Sequence, residues 1–477
     1  MGNQRMLDKT TVRHIHLVGI GGIGLSAIAR VLQAEGYQIS GSDAQQTHLT
    51  AELAEHGMVI RHGHHAENVA GADLVVVSSA VPKDNPEIVA AQAAGIPVVK
   101  RAQILGEMMA DKVGIAVAGT HGKTTTSAMI TFVLSRLGLD PTFIVGGIIR
   151  DLGTNAGFGQ GPHFVIEADE YDHTFLGLKP KMVVVTIIEM DHPDCFADIH
   201  EMTQDFQQFV HLLPDSGTAI GCADQPRVLR LLQQAVAERP IDLITYGLKQ
   251  GAWQAQGIRR NDWGGSDFGV WHGGQAVGQC RLRLPGLHNV SNTLAVLAVA
   301  HRLGLDLDAV LQVLSQFQGV QRRFEVKGEA RGVVVIDDYA HHPTEIQATL
   351  SAARRRYSDR PLWVFFQPHT YSRTRALLNE FAASFAVADH VIVAEIYGAR
   401  ETNNLGLSSQ DLVQRMHHRD VHYVRTLQEA SEYLRAALHS GDVLLTLGAG
   451  DGYLVGETVL RMLAQNGIVQ AQRAGAA

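Results

Sequence analysis

The residues with the clearest chemical role form a glycine-rich turn in the middle of the 477-residue chain. An apolar run, Val113–Val117, leads into the sequence GTHGKTTT, and a segment with helical apolar spacing follows. In such turns the backbone N–H groups surround phosphate oxygens, the lysine reaches the β- and γ-phosphates, and the next hydroxyl binds Mg²⁺. The turn therefore predicts an ATP or GTP site. The predicted residues are Gly119, Thr120, His121, Gly122, Lys123, Thr124 and Thr125.

A second glycine-rich turn lies near the N-terminus. Ile15–Val18 is followed by the sequence GIGGIG and then by a helical pattern. Glycines at this spacing allow the backbone to approach a pyrophosphate, and an acidic residue about 20 positions further on, here Asp43, can bind a ribose hydroxyl. The pattern favours a nucleotide diphosphate without specifying NAD, although a tight turn without a ligand would have the same spacing. The glycines are Gly19, Gly21, Gly22 and Gly24.

Carboxylates follow two further apolar runs. Phe164–Ile166 leads into the sequence EADEYD, and Val183–Ile188 leads into EMDH. Parallel sheets bind ligands at the carboxyl ends of their strands, and Mg²⁺ prefers oxygen ligands. Spacing alone is equally compatible with a metal site and with a solvated acidic loop.

Composition excludes several classes of protein. A hydrophobic fraction of 45% with 18% charged residues excludes an intrinsically disordered chain. The net charge of −8 disfavours a nucleic-acid-binding surface. Three cysteines without a CxxC pair indicate reduced thiols, and no segment is apolar enough to span a membrane, so we expect a cytoplasmic protein. The histidines at positions 62, 64 and 65 lack the companions expected of a zinc site.

The elements that must position these residues alternate between buried strands and helices. Short Val/Ile/Leu runs without polar alternation recur along the chain, which predicts parallel sheets of the α/β class. Restarts of the pattern predict three domains, at residues 1–110, 111–318 and 319–477. Gly251–Gly278 is predicted to form a β-hairpin inside the middle domain.

Five further segments of the chain, together with the motifs above, form a set of sequence motifs that can be compared with known families. The segments are PGLHN at Pro285–Asn289, RRFE at Arg322–Glu325, DDYAHHPTE at Asp337–Glu345, QPHTYSRT at Gln367–Thr374 and GAGD at Gly448–Asp451. Together with the two turns and the carboxylates, in this order, they resemble the Mur ligases, the ATP-dependent amide ligases of peptidoglycan assembly. The resemblance spans nearly the whole chain and is strongest to the members that join L-alanine to UDP-N-acetylmuramate.

The resemblance implies a reaction and an arrangement of domains. A Rossmann-like N-terminal domain would hold the UDP-sugar, a central P-loop-type domain would bind ATP, and a Rossmann-like C-terminal domain would bring the amino acid. The muramate carboxylate would attack the γ-phosphate to form an acyl phosphate, which the amine of alanine would then attack. The implied metal is Mg²⁺, as two ions that Mn²⁺ can replace. The resemblance also implies a monomer or weak homodimer with no nucleic-acid partner and no membrane insertion.

The resemblance also assigns roles to individual residues. The catalytic set is Lys123, Glu167, His192, Arg323, Asp338 and His341. The metal ligands are Thr124, Glu167 and His192, and the further ATP contacts are Asn289, Asn292, Arg323 and Asp338. The amino-acid side has Tyr339, His341, His342 and Arg373, and the UDP-sugar side has the four N-terminal glycines with Asp43, His64, Ser79 and Arg101.

The chain departs from the family pattern at several positions. Tyr171 replaces a common Ser, and Ile188 replaces a common Asn. Thr370 stands where some members have Arg, which predicts fewer cations in the amino-acid pocket. No lysine lies between positions 181 and 249, so the carbamylated lysine of several relatives has no counterpart; we expect Gln207 or Gln208 in its place.

Three other functions remain compatible with parts of the sequence. A related ligase attaches a whole tripeptide to the same sugar nucleotide. The N-terminal turn alone would permit an NAD-dependent oxidoreductase. The central turn alone would permit a nucleotide-binding regulator without catalysis, but that function leaves the acidic cluster after Phe164–Ile166 without a purpose.

Overall fold

The computed structural model describes residues 6–474, and it contains three β-sheets, each packed against helices. The predicted α/β class with three parallel-sheet domains is confirmed. Buried apolar side chains fill both faces of each sheet, which explains the non-alternating Val/Ile/Leu runs. No helix within the described range is long and apolar enough to cross a membrane.

The N-terminal sheet has five parallel strands in the order β3-β2-β1-β4-β5. The strands are β1 His14–Val18, β2 Gln38–Asp43, β3 Val59–His62, β4 Leu74–Val77 and β5 Val98–Lys100. The helices are α1 Ile23–Glu35, α2 His48–Glu55, α3 Pro86–Ala93 and α4 Arg101–Met109. Strand order reverses between β1 and β4, so the first glycine turn, which follows β1, lies where parallel sheets bind ligands.

The middle sheet has ten strands in the order β15-β14-β13-β12-β11-β10-β6-β9-β7-β8. The strands are β6 Val113–Ala118, β7 Thr142–Ile149, β8 Thr154–Gly157, β9 His163–Glu167, β10 Met182–Val185, β11 Thr218–Cys222, β12 Asp242–Gly247, β13 Trp253–Arg260, β14 Ser266–His272 and β15 Gln275–Leu282. The helices are α5 Lys123–Arg136, α6 Ile199–Val210, α7 Pro226–Glu238, α8 Leu287–Arg302 and α9 Leu307–Leu314. Because β6 lies between β10 and β9, their carboxyl ends bring the central turn and both carboxylate segments together.

The sequence predicted a two-stranded hairpin at Gly251–Gly278, but the structure has three strands in this region. β13, β14 and β15 form an antiparallel three-stranded meander, and β13 pairs in parallel with β12. The meander therefore extends the edge of the middle sheet rather than leaving it.

The C-terminal sheet has six strands in the order β16-β17-β21-β18-β19-β20, and only β16 is antiparallel. The strands are β16 Glu325–Ala330, β17 Val333–Asp338, β18 Leu362–Phe366, β19 His390–Ala394, β20 Val421–Val424 and β21 Val443–Leu447. The helices are α10 Pro343–Arg356, α11 Tyr371–Ala376, α12 Leu378–Ala382, α13 Ser409–Arg415, α14 Leu427–Ala437 and α15 Tyr453–Ala474. The link into this sheet holds Arg322 and Phe324 at left-handed φ angles of 58° and 47°.

Candidate functional site

The central glycine turn connects β6 to the first residue of α5. Gly119 and Gly122 have φ angles of 129° and 83°, which favour glycine, and a Cβ at Gly119 would lie 2.1 Å from the Thr186 hydroxyl. Lys123 folds back over the turn, and its Nζ donates to the Gly119 carbonyl at 2.7 Å. Free N–H groups at the start of α5 and the lysine ammonium therefore face the same space, as an anion site requires.

Lys123 also contacts a carboxylate to which no role was assigned. Its Nζ donates to Oε1 of Glu170 at 2.8 Å, and Glu170 is fully buried. Burial opposes the charge of Lys123, but the carboxylates of Glu170, Asp169 and Glu167 outweigh it and raise the lysine pKa. Oε2 of Glu170 is buried without a hydrogen-bond partner in the part of the chain that the structure describes. Such an oxygen is suited to a cation.

Two pairs of side chains at this edge of the middle sheet could serve as Mg²⁺ ligands: Thr124 with Glu167, and His192 with Glu170. The Thr124 hydroxyl donates to Oε1 of Glu167 at 3.0 Å, and Oε2 of Glu167 accepts from the Gly146 N–H at 2.7 Å. Nε2 of His192 lies 3.9 Å from Oε1 of Glu170. Mg²⁺ needs only one or two carboxylates besides phosphate and water, so these oxygens suffice.

One cavity at this site lies between the middle and C-terminal sheets and has a volume of about 320 Å³; we call it the nucleotide cavity. Its lining includes the turn residues His121, Gly122, Thr124 and Thr125, the apolar groups Tyr246, Leu248, Leu284 and Leu287, and the polar residues Asn289, Asn292 and Asp338. An apolar slot next to a phosphate-binding turn is suited to a nucleotide base.

The asparagine pair supports the turn as well as the cavity wall. Asn289 Nδ2 donates to the Pro285 carbonyl at 2.7 Å, and Asn292 Nδ2 lies 3.4 Å from the Asn289 amide oxygen. A Cβ at Gly122 would lie 2.8 Å from Oδ1 of Asn292. The pair therefore fixes how closely α8 approaches the turn.

Asp338 lines the nucleotide cavity, but its oxygens already have partners. Oδ1 accepts from the Ala340 N–H and Oδ2 from the Phe324 N–H, both at 2.8 Å. Burial raises the pKa of Asp338 to about 6. The side chain thus holds the left-handed link between the second and third sheets.

The second cavity lies where the three sheets meet and has a volume of about 360 Å³; we call it the junction cavity. Its lining includes Gly24 and Arg101 from the first sheet region, Lys123, Glu167 and His192 from the second, and Tyr339, His341 and Arg373 from the third. The residues that line both cavities are Gly122, Thr124, Arg323 and Glu345. Arg323 bridges the two domains, because Nη2 lies 3.4 Å from the Thr124 hydroxyl and Nη1 lies 3.5 Å from Oε1 of Glu345.

His121 forms a second bridge between these domains. Its Nε2 lies 3.1 Å from a Glu189 oxygen, and its Nδ1 lies 3.3 Å from a Glu345 oxygen. Burial opposes protonation, but the two carboxylates outweigh it and raise the pKa of His121 to about 9. The Thr344 hydroxyl also donates to Glu189 at 2.7 Å. The imidazolium is therefore held by one carboxylate from each domain.

The structure does not bring His342 into either cavity. Nδ1 of His342 accepts from the Thr344 N–H at the start of α10, and Nε2 donates to the Met190 carbonyl at 3.2 Å. His121, Glu189 and His342 offer ligand atoms within 4.8 Å of one another, a spacing that could hold a metal ion. Both ring nitrogens of each histidine already have hydrogen-bonding partners, which favours the protonated bridge over a metal site.

Arg373 and two histidines form the C-terminal wall of the junction cavity. Nε of Arg373 donates to Oδ1 of the buried Asp191 at 2.7 Å, and this charge holds the pKa of Asp191 well below its usual range despite burial. Burial lowers the pKa of His341 to about 3 and that of His369 to about 4. Both imidazoles are therefore neutral near pH 7.

Of the residues expected to bind the UDP-sugar, the structure brings only some to the junction cavity. Gly24 and Arg101 line it, and Arg101 Nη2 lies 3.1 Å from Oδ2 of Asp169. Asp43 accepts from the Gly21 N–H at 2.9 Å, so it shapes the first glycine turn from outside the cavity.

Two other expected UDP-sugar residues lie apart from both cavities. His64 contacts the buried Glu87 at 3.1 Å. Ser79 is exposed after β4. The glutamines expected in place of a carbamylated lysine, Gln207 and Gln208, lie on α6 and also line neither cavity.

Several residues at the site were missed in the sequence. Glu170, Glu189 and Asp191 lie inside the acidic segments but had no assigned role, and Glu345 ends the DDYAHHPTE segment. A usable signal existed for Glu345, because a carboxylate in the first turn of a helix is favoured there and often faces a cation. Asp191 had no such signal.

Three family models match the chain. "Mur ligase family, catalytic domain" matches residues 14–113, "Mur ligase middle domain" matches residues 117–300, and "Mur ligase, glutamate ligase domain" matches residues 322–450. The chain belongs to the Mur ligase family. Membership favours a ligase over the oxidoreductase and regulator alternatives.

The chain is similar to Mur ligases known from their sequences and to Mur ligases with known structures. The UDP-N-acetylmuramate–L-alanine ligase of Syntrophotalea carbinolica is 45% identical over 458 residues, covering 95% of this chain and 99% of the relative. The same ligase of Thermotoga maritima has a crystal structure that is 31% identical with a TM-score of 0.79, covering 94% of this chain and 98% of that chain. A murein peptide ligase of Psychrobacter arcticus is 25% identical with a TM-score of 0.70, covering 95% and 99%.

Proposed function

We propose that this Mur ligase joins L-alanine to the carboxylate of UDP-N-acetylmuramate at the expense of ATP, releasing ADP and phosphate. Relatives with that name are 45% identical over nearly the whole chain. The observation that carries the proposal is the junction cavity, in which one space is lined by Arg101, by Lys123 and Glu167, and by Arg373. A reaction with three substrates needs groups from three domains in one place.

The proposed first step brings two anions together. The muramate carboxylate attacks the γ-phosphorus, the bond to the β-phosphate oxygen breaks, and ADP leaves. Lys123 and Arg323 supply positive charge at the turn, and Thr124, Glu167 and His192, with Glu170 beside them, would hold the metal ions. Mg²⁺, when bound, neutralises phosphate charge. The ion count and replacement by Mn²⁺ stay part of the proposal.

In the second step the amine of alanine attacks the acyl phosphate. A C–N bond forms, the C–O bond to phosphate breaks, and a proton passes from nitrogen to solvent. Nδ1 of His341 lies 2.9 Å from the Tyr339 carbonyl, which can only accept, so Nδ1 carries the proton. Nε2 of the neutral ring is then left to accept a hydrogen bond from the attacking amine, which orients it toward the carbonyl carbon.

The remaining roles belong to the same proposal. Asn289 and Asn292 position the nucleotide, while Asp338 holds the link that closes the C-terminal domain over it. The predicted domain boundaries, the cytoplasmic location and the monomeric or weakly dimeric state also stay predictions. Closure keeps water from the acyl phosphate.

Phosphate release with isotope transfer tests the proposal. With ATP, Mg²⁺, L-alanine and UDP-N-acetylmuramate labelled with oxygen-18 in its carboxylate, we expect one labelled oxygen in each orthophosphate released. Orthophosphate without the label would rule out the acyl phosphate. Replacing alanine by the tripeptide separates this function from that of the tripeptide ligase, which would prefer the tripeptide.

A further inference from the structure

The junction cavity contains a cation for which no role was predicted. Arg400 lies in the loop between β19 and α13 of the C-terminal domain and reaches across to the middle domain. Its Nη2 donates to Oδ2 of Asp194 at 2.7 Å, and its guanidinium carbon lies 4.3 Å from the centre of the Tyr171 ring. Stacking on an aromatic ring fixes the plane of a guanidinium.

The loop that carries Arg400 is tied to the helix that carries Arg373. The neighbouring Glu401 accepts from both the N–H and the hydroxyl of Ser372, at 2.9 and 2.5 Å. The Thr370 N–H donates to the Tyr397 carbonyl at 2.9 Å. These bonds place the two arginines on the same wall of the junction cavity.

Arg373 has little capacity left for a substrate carboxylate. Nε donates to Asp191 at 2.7 Å, Nη1 lies 3.3 Å from His369 Nδ1, and Nη2 lies 3.4 Å from His192 Nδ1. Only 5% of its side chain is exposed. Because His341 and His369 are neutral near pH 7, they add no positive charge to this wall.

Arg400 has the capacity that Arg373 lacks. Its side chain is 51% exposed, and Asp194 is its single ion-pair partner within residues 6–474. A guanidinium has five N–H donors arranged as forks that match a carboxylate in two parallel hydrogen bonds. Thr370 lines the same cavity and carries no charge, whereas some family members have Arg at this position.

We propose that Arg400 binds the α-carboxylate of the incoming amino acid, while Arg373 is a positioning residue that fixes Asp191, His192 and His369. This inference rests on the proposed function. It predicts that the enzyme requires a free α-carboxylate on its amine substrate and that the requirement depends on Arg400.

Steady-state kinetics of Arg400→Met and Arg400→Lys test the inference. We expect the KM for L-alanine to rise about 10- to 100-fold in Arg400→Met, with a smaller rise in Arg400→Lys, because a charged hydrogen bond is lost or weakened. The KM values for ATP and UDP-N-acetylmuramate should stay within about twofold of the original enzyme.

L-Alaninamide separates carboxylate binding from a structural role. It keeps the amine but replaces the carboxylate with a neutral amide, so the original enzyme should use it about 10- to 100-fold less efficiently than alanine. Arg400→Met should lose that preference. Asp194→Asn removes the partner of Arg400 but keeps the guanidinium, so it should keep the preference for alanine.

The controls separate failure of this inference from failure of the proposed function. Arg419→Met makes the same change at an arginine that is 73% exposed and pairs with Asp389, and it should leave all KM values unchanged. If the original enzyme does not use alanine at all, the proposed function is wrong. If it uses alanine and Arg400→Met keeps both the alanine KM and the preference over alaninamide, the inference about Arg400 is overturned.

Discussion

The nucleotide cavity and the junction cavity share part of their walls but are built in different ways. The nucleotide cavity combines two short continuous segments of the middle domain, the central glycine turn and the start of α8, with C-terminal residues such as Asp338 and Glu345. The junction cavity is lined by residues of all three domains, among them Arg101, Lys123 and Arg373. The first site therefore needs contact between two domains, whereas the second exists only when all three domains are in contact.

This difference separates two kinds of failure. Changes confined to the nucleotide cavity should weaken ATP use and leave the amino acid unaffected. Changes confined to the junction cavity should reduce the complete reaction while ATP still binds. Changes in the shared region should do both.

The largest effect is expected at Lys123, which lines the junction cavity and lies in the chain between the shared residues Gly122 and Thr124. Lys123→Ala removes the cation that faces the phosphates, so we expect kcat to fall about 10³-fold in a phosphate-release assay. It also leaves the buried Glu170 without its ion-pair partner, so stability should fall as well. The double variant Lys123→Ala with Glu170→Gln should recover stability but not activity. Recovery of turnover would show that the lysine is only structural.

The next largest effect is expected at Asp191, in the junction cavity. Asp191→Asn leaves the buried Arg373 uncompensated, which costs about 3–5 kcal/mol of stability for a buried pair. We expect kcat for the complete reaction to fall about 100-fold, while the Kd for ATP changes less than about threefold. Asp215→Asn, at an ion pair whose aspartate is 75% exposed, is the matched control. An equal loss of ATP affinity would contradict the separation of the two cavities.

A smaller effect is expected at Asn292, in the nucleotide cavity. Asn292→Ala removes an amide that supports Gly122, so the KM for ATP should rise about tenfold with the KM for alanine unchanged. Asn404→Ala, at an exposed asparagine, should change neither value. A rise in the alanine KM would show that the cavities are coupled through α8.

The smallest effect is expected from the pH dependence of the His121 bridge. The pKa of His121 is raised from an ordinary 6.5 to about 9, so its stabilising contribution is fully present below pH 6.5 and is lost as pH rises through 9. The free energy of unfolding of the original protein should therefore exceed that of His121→Asn by about 1–2 kcal/mol at pH 6.5. Denaturant titrations at pH 6.5 and 9.5 would measure this. A difference that stays constant across that range would show that the bridge is uncharged.

Local segments of the sequence were sufficient to predict the glycine turn that lines the nucleotide cavity. Apolar runs predicted strands such as β6 and β9, and glycine spacing predicted the turn, because these depend on neighbours in the chain. The family resemblance placed His342 on the amino-acid side together with His341, but His342 instead caps α10.

The junction cavity depends on contacts that no spacing predicts. Asp169 is 68 residues from Arg101, Asp191 is 182 residues from Arg373, and Asp194 is 206 residues from Arg400. Only the packing of the domains makes these residues neighbours. A family resemblance therefore could suggest Arg373, but it could not suggest the residue that neutralises it.

The shared wall of the two cavities has a thermodynamic consequence. Gly122, Thr124, Arg323 and Glu345 line both spaces, so an occupant of one space contacts groups that an occupant of the other also contacts. If filling one space tightens the hold on the second occupant by some factor, linkage requires the second to tighten the hold on the first by the same factor. An inhibitor that fills either space would thus have a potency that depends on whether the other is filled.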